Sequence, residues 1–318
     1  MVLVVKFLLN FFQVERCIDF LVRNLKRLLG YMTKQNGQEN PATSLLLKLA
    51  LQPTEIVPSI DLEAIAFLKH FTAPLNQEEN EMVRQALINE GDPGQVVIRY
   101  KTDTVSRGSM WSLCPGNDLT DEVIHCFFAM LASRDALLVS SSPDPSKKRC
   151  HFFKSFFITN LLDEKCSQKY TYPNVKTWSK NVWGKDVFGL SKIFIPVNMS
   201  NSHWACVVIF MQERKIQYFD SLGFDGMVYM SALLQYLKDE WADKNQGQEL
   251  PDASEWRLIR CTTDTPKQGN GFDCGIFTCM FAAFLVNDYP LIFNQKDMKH
   301  CRDRIALYLL QGQVLGPQ

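Results

Sequence analysis

The sequence has no C-x-x-C pair, although it holds ten cysteines among its 318 residues. That spacing argues against the common structural zinc sites and against a disulfide framework. Reduced thiols, as in the cytosol or nucleus, are the simplest reading. Net charge is missing too, because 34 Lys and Arg balance 34 Asp and Glu. A chain without a broad basic field lacks what non-specific nucleic-acid binding needs. No run reaches the roughly 18–20 uninterrupted apolar residues of a membrane span. Histidine is scarce, five in all, so a general base can be sought one residue at a time. What remains is ordinary globular composition, 46% hydrophobic and 21% charged. It suits one or two domains and excludes a disordered or fibrous chain.

Three stretches differ in pattern. In residues 1–32, Val4, Phe7, Phe11, Val14, Ile18, Leu21, Leu25, Leu28 and Met32 alternate steps of three and four. That spacing predicts an amphipathic helix with one apolar stripe. Lys6, Arg16, Arg23, Lys26 and Arg27 make its remaining surface basic. Docking on its own domain or on a partner is the expected role, and a membrane-surface or targeting role is the alternative. Lys6 and Asn10 interrupt the run a signal peptide needs, and Glu15 and Asp19 fit a mitochondrial presequence poorly. Residues 33–78 read as a linker followed by a loosely structured extension or a small docking segment, with short apolar runs broken by Pro53, Pro58 and Pro74. Residues 79–318 are dense in regular signals. Helices are expected over 79–90, 121–132 and 276–286, with Asp118 or Thr120 as cap of the second. Strands are expected over 193–197, 204–211 and 215–220. The second is apolar on both alternating faces, as a central strand should be.

Four of the five histidines have bland readings. His70 and His300 sit in amphipathic stretches, His125 on a buried helix, and His151 after a Lys-rich loop. His203 differs, because it opens the central strand at the rim of the core, a common place for catalytic groups. The next strand ends in Asp220-Ser221-Leu222-Gly223. In an antiparallel hairpin with a two-residue turn at Met211-Gln212, His203 would face Asp220 directly. A longer turn would shift this by a residue or two. A carboxylate there fixes the imidazole tautomer and supports the imidazolium. A plain strand-end turn is the competing reading of Asp220. The third element is Gln268-Gly269-Asn270-Gly271-Phe272-Asp273-Cys274-Gly275, running into the apolar helix. It sets Cys274 in a first helical turn, where amide dipoles favour the thiolate. Gln268 could offer its amide to an oxyanion. For Cys274 alone, a small core residue would be the default, as for Cys206 and Cys279.

Together these motifs resemble the signature of the Ulp/SENP family of SUMO-specific cysteine proteases. The intervals fit as well: 17 residues from His203 to Asp220, and 54 from there to Cys274. Ser106-Arg107-Gly108, Leu119 to Ile124, Phe152 to Phe157 and Ile193 to Val197 add to the likeness, which covers about 79–318. The resemblance implies an α+β, papain-like fold, a central mixed and mostly antiparallel sheet flanked by helices. It implies His203 as base and then acid, Asp220 as its orienter, Cys274 as nucleophile, and Gln268 with the Cys274 amide as oxyanion donors. It implies cleavage after the C-terminal Gly-Gly of SUMO, with Trp204, Asp118, Asp121 and Gly275 along the substrate path. No cofactor, metal or nucleic acid is implied, and residence is nuclear or else cytoplasmic. One departure stands out: the family has a Trp, forming a tunnel wall, where this chain has Asp118. Trp111 is a candidate substitute for that wall. Asp121 and Glu122 keep the family's acidic pair and are expected to favour the helix start. Two alternatives stay open, a protease for another ubiquitin-like modifier and a catalytically silent modifier-binding protein. An acetyltransferase with a similar Cys–His site would be expected to carry Glu as orienter.

Overall fold

The computed structural model describes residues 61–88, 90–163 and 169–314, which belong to one compact unit. The expected helix over 1–32 and the linker up to residue 60 lie outside the described residues.

The scaffold is a five-stranded mixed sheet in the order β3-β4-β5-β6-β7, formed by His151–Phe152, Lys192–Met199, His203–Phe210, Lys215–Phe219 and Arg257–Ile259. The inner pairs β4–β5 and β5–β6 are antiparallel, and the two edge pairs are parallel. Every residue of β5 is buried. Alternation explains this. Trp204, Cys206, Val208 and Phe210 point into one apolar cluster, while Ala205, Val207 and Ile209 point into another. A two-stranded sheet, β1 (Val96–Tyr100) with β2 (Asp103–Ser106), lies apart from it.

The helices that matter for the site fall on the Trp204 face. α4 (Asp121–Ser140), α7 (Cys274–Leu285) and α8 (Met298–Gln311) pack there. α7 is buried from Cys274 to Phe284, as an apolar surface all round requires. α5 (Phe156–Leu161) and α6 (Met227–Lys244) cover the opposite face. α4 is the one described helix long and apolar enough to cross a membrane, and half of that window is buried in the core. It runs past the expected end at residue 132 because its polar residues find partners. Arg134 donates to Asn287, and Asp135 accepts from the Cys150 amide. Thr120 stands at its N-cap position, but its hydroxyl makes no cap bond.

Of the two readings of this extension, loosely structured or a small docking segment, the described part from residue 61 has the second form. α1 (Leu62–Thr72) is a regular helix capped by Asp61, which accepts from the Ala64 amide at 2.9 Å. Phe67 and Phe71 are fully buried against Phe284, Tyr289 and Tyr308. Pro74 therefore follows the helix rather than interrupting it. α2 (Gln77–Ala86) follows, with an Asn76–Glu79 capping box, and α3 (Arg107–Trp111) is one short turn.

Candidate active site

His203 is the first residue of β5. The turn before it uses two left-handed residues, Ser200 (φ 50°) and Asn201 (φ 55°). The hairpin after it has a four-residue turn, since pairing resumes at Phe210 with Lys215 and stops at Cys206 with Phe219. The two-residue turn expected from sequence is thus two residues too short. A shift of two preserves the face, so Asp220 sits diagonally across from His203 instead of directly opposite. The side chains still meet: His203 Nε2 is 2.9 Å from Asp220 Oδ1.

Asp220 is fully buried, and four donors hold it. Oδ1 accepts from His203 and from the Leu222 and Gly223 amides at 2.7 and 3.1 Å. Oδ2 accepts from the Tyr218 hydroxyl at 3.0 Å. Burial works against the carboxylate, but the His203 hydrogen bond and charge, with the other donors, hold it below its ordinary range. Asp220 is therefore more than a strand-end turn residue.

Cys274 opens α7. Asn270 makes the approach by accepting from the Phe272 and Asp273 amides. Asp273 occupies the N-cap position but does not cap the helix. Its carboxylate faces away, toward Asn270, Gln295 and Arg302. The first-turn amides of α7, which no intrahelical carbonyl can satisfy, are therefore not taken up by the Asp273 side chain. Cys274 also acts on the His203 ring and favours its charged form. Because Nε2 is committed to Asp220, Nδ1 is the ring nitrogen left for the sulfur. Burial depresses the His203 imidazolium, yet the bonds to Asp220 and Cys274 outweigh it and raise the ring to about 9. His125 and His151, by contrast, are pushed down to about 4 by burial. Neither is a base at this site.

Gln268 is held on both sides of its amide. Its Oε1 accepts from Ser221 at 2.6 Å, and Nε2 donates one hydrogen to the Asn270 carbonyl at 2.6 Å. The second amide hydrogen is left for a ligand. Ser221 thus ties the orienting carboxylate's loop to the oxyanion side of the site, a reason for Ser beside Asp220.

Next to His203, a cleft of about 410 Å³ is lined by Asp118–Asp121, Ser155, Phe156, Asn198 and Trp204. Trp204 is only 3% exposed, so it packs and lines the cleft at once. Its indole Nε1 donates to the Leu119 carbonyl at 2.8 Å. Gly275 does not line the cleft. Its role is packing, because a β carbon there would lie 2.7 Å from Leu119 Cβ. Leu119 therefore holds both sides, its carbonyl the indole and its side chain the start of α7. Trp111 also lies outside the cleft lining, at the end of α3 and 41% exposed, so it does not replace the missing wall. Asp121 faces the cleft. Glu122 does not: it accepts from the amide and hydroxyl of Ser106 and anchors the β2–α3 junction.

Sequence reasoning missed Arg302. This side chain on α8 is 2% exposed. Nε and Nη2 reach Asp273 Oδ1 at 2.9 and 2.7 Å. Nη1 donates to the Ser112 and Cys114 carbonyls, and Nη2 to those of Asn117 and Phe272. One guanidinium thus fastens the segment leading to Asp118 onto the segment leading to Cys274. A signal existed: Met298, Arg302, Ile305 and Leu309 share one helical stripe, and a lone charge on an apolar stripe calls for a buried anion. Arg302→Met is expected to lower stability to urea by about 3–5 kcal/mol, since it strands a buried carboxylate and four carbonyls. Arg302→Lys should recover only part, lacking the planar fork. A loss under about 1 kcal/mol in the Met variant would remove this clamp role.

Among the described residues no cluster of His, Cys, Asp and Glu could hold a metal ion. Residues 117–312 match the Ulp1 protease family, C-terminal catalytic domain. The chain is 34% identical over 242 residues to ubiquitin-like-specific protease 1A of Arabidopsis thaliana, covering 75% of this chain and 45% of that protein. It is 28% identical to sentrin-specific protease 2 of Mus musculus, covering 75% and 37%. The match thus spans less than half the length of these two relatives. Among solved structures, the C-terminal Ulp1 protease domain in complex with Smt3, the yeast ortholog of SUMO, superposes with a TM-score of 0.61 at 27% identity, covering 76% of this chain and 97% of that one. The chain belongs to the Ulp1 protease family and carries its catalytic domain.

Proposed function

We propose that this chain is a thiol protease that cleaves after the C-terminal Gly-Gly of SUMO, in the precursor or in an isopeptide bond to lysine. The observation that carries this reading is the meeting of His203 with Asp220, and of Cys274 with the same ring, next to Trp204, an indole that lines a cleft and is fixed by the Leu119 carbonyl. Glycines, without side chains, suit a path that runs under an indole.

The chemistry follows from the geometry. The Cys274 sulfur attacks the carbonyl carbon of the terminal glycine. The oxyanion takes the Cys274 amide and the second hydrogen of Gln268 Nε2. His203, as imidazolium, gives its proton to the leaving amine, and a thioester remains. His203 then takes a proton from water, which attacks the thioester and returns the thiol. Asp220 holds the ring and its charge throughout.

Asp118 favours a second reading, a related modifier with a differently shaped tail. In place of an apolar wall the cleft carries two carboxylates, Asp118 and Asp121. Electrophile-tipped SUMO, with ubiquitin and other modifiers bearing the same electrophile beside it, separates the two. An adduct with SUMO alone, absent in Cys274→Ala, is the expected result. An adduct with a different modifier only would keep the mechanism and reassign the substrate. No adduct from folded protein would leave a binder without catalysis.

A further inference from the structure

Trp183 is 59% exposed, more than any other described aromatic residue. It stands on a built tip. Val182 and Val187 are buried and root the two arms of this loop in the apolar cluster that α6 covers. Between them the Lys185 amide donates to the Val182 carbonyl at 2.8 Å. Lys244, the last residue of α6, donates to the Lys185 carbonyl at 2.8 Å. Gly184 (φ 70°) and Lys185 (φ 57°) turn the backbone through the left-handed region, and a β carbon at Gly184 would meet nothing within 4 Å. The fold thus holds a large apolar ring out in open surroundings, against the tendency of such surface to leave water.

The tip is also cationic. The Arg149 guanidinium lies over the Trp183 ring, 5.0 Å from its centre. Lys147 and Lys148 lead into Arg149, Lys180 and Lys185 flank Trp183, and all four lysines are exposed. Lysines bordering this group are neutralised: Lys176 by Asp243, Lys192 by Asp288 and Lys244 by Glu240. The five cations at the tip have no ion-pair partner among the described residues. The carboxylates nearest in sequence serve their own turns. Asp144 accepts from the Ser146 amide and hydroxyl, and Asp186 from the Phe188 amide. In a chain whose charges balance overall, this is a local excess of one sign.

The patch is remote from the chemistry. The Arg149 carbonyl accepts from the Ser191 amide, just before β4 opens at Lys192, and Lys192 pairs with Phe210 at the end of β5. His203 is at the other end of β5. The length of that strand, about 23 Å, lies between this end of the sheet and the catalytic ring. Neither Trp183 nor any of the five cations lines the cleft beside Trp204.

We propose that Trp183, Arg149, Lys147, Lys148, Lys180 and Lys185 form a docking surface for an acidic segment of a partner protein, with one apolar side chain of that segment seated on the indole. The unpaired cations call for carboxylates, and the exposed ring calls for an apolar neighbour. Single-stranded nucleic acid fits less well. It needs a cationic track that continues past each stacked base, whereas Asp144 and Asp186 sit in the same two loops as the cations. Arg149 already covers one face of the ring.

Fluorescence anisotropy with the full chain tests the surface. The probe is a labelled short peptide of Asp and Glu around one central Phe. Beside it run the same peptide with Ser for Phe, and an oligothymidylate of equal charge. The Phe peptide should bind, and Trp183→Ala should weaken it by about tenfold, as removal of a central interface Trp does. The Ser peptide should bind wild type about tenfold more weakly and lose less than about twofold further in Trp183→Ala, because both changes remove one contact. Arg149→Glu combined with Lys185→Glu, folded by circular dichroism, should weaken the Phe peptide by more than about a hundredfold. Labelling by electrophile-tipped SUMO should stay within about twofold in Trp183→Ala, since the tip is a strand's length from the ring. The peptide arms read the surface whether or not SUMO proves to be the modifier. No binding of the Phe peptide, or equal binding by wild type and both variants, would overturn the docking surface. Tighter binding of the oligothymidylate than of the peptide would overturn it as well and give the patch to nucleic acid. A matching fall in SUMO labelling with Trp183→Ala would make the patch part of the modifier site instead.

Discussion

Cys274→Ala is expected to lower turnover of a SUMO conjugate by about a millionfold, to the level of background, because a methyl group cannot form the thioester. Binding should survive. Cys274 is buried at the start of α7, and a methyl in place of a thiol leaves the apolar surroundings of Ile276 and Phe277 as they are. The cleft residues Trp204, Asp118 and Asp121 lie outside the substituted position. Calorimetric titration with the intact conjugate should therefore give an affinity within a few-fold of the wild-type product complex. The two readouts answer different questions. Cleavage within about a hundredfold of wild type would mean that another group is the nucleophile, and the described chain offers no convincing rival. Cys126, Cys206, Cys279 and Cys301 are buried, Cys114, Cys150 and Cys261 are half-buried, and desolvation raises all seven thiols. Loss of binding together with cleavage would instead point to collapse of the α7 start.

Cys274 could be singled out in sequence because its surroundings are local. Eight consecutive residues, Gln268 to Gly275, hold the amide side chain, the turn and the helix start. The His203–Asp220 pair was legible for a related reason, since a hairpin couples two short segments by a rule of register. The turn length escaped that rule, because the loop at 211–214 accommodates a left-handed Arg214 (φ 45°) that nothing in its composition demanded. What sequence reasoning could not reach is long-range. The Leu119 carbonyl is met by an indole 85 positions away, and Arg302 gathers carbonyls 185 to 190 positions earlier in the chain. Such contacts are set by how layers stack, and no local pattern encodes them. α1 was hidden for the opposite reason. Its prolines are a strong local signal, but its apolar stripe becomes informative only when Phe284 and Tyr308 are there to receive it.

Asp220→Asn is expected to reduce kcat/KM by about a thousandfold to ten-thousandfold while the fold persists. Persistence follows from the hydrogen bonds. An Asn oxygen in the Oδ1 position can still accept from the Leu222 and Gly223 amides and from His203. Its NH2 would point at the Tyr218 hydroxyl, which can turn to accept instead of donate. What is lost is the negative charge. In the native site burial pushes the His203 imidazolium down, and the bonds to Asp220 and Cys274 raise it to about 9 in spite of that. The protonated ring is the general acid, so native activity should hold up to near pH 9 and fall as pH rises through it. Without the carboxylate, burial is opposed by the sulfur alone, and the alkaline limb should move to lower pH. Stability carries the same sign. A raised folded value contributes fully below the ordinary imidazole range of about 6.5 and drains away as pH climbs toward 9. The Asn variant should therefore lose stability relative to wild type most clearly below pH 7, with the gap closing at high pH. A pH–rate profile and denaturant midpoints at pH 6 and pH 9.5 read both effects from one variant. An unmoved alkaline limb with a large rate loss would show that Asp220 only positions the ring. An unchanged rate would place Asp220 outside the reaction altogether.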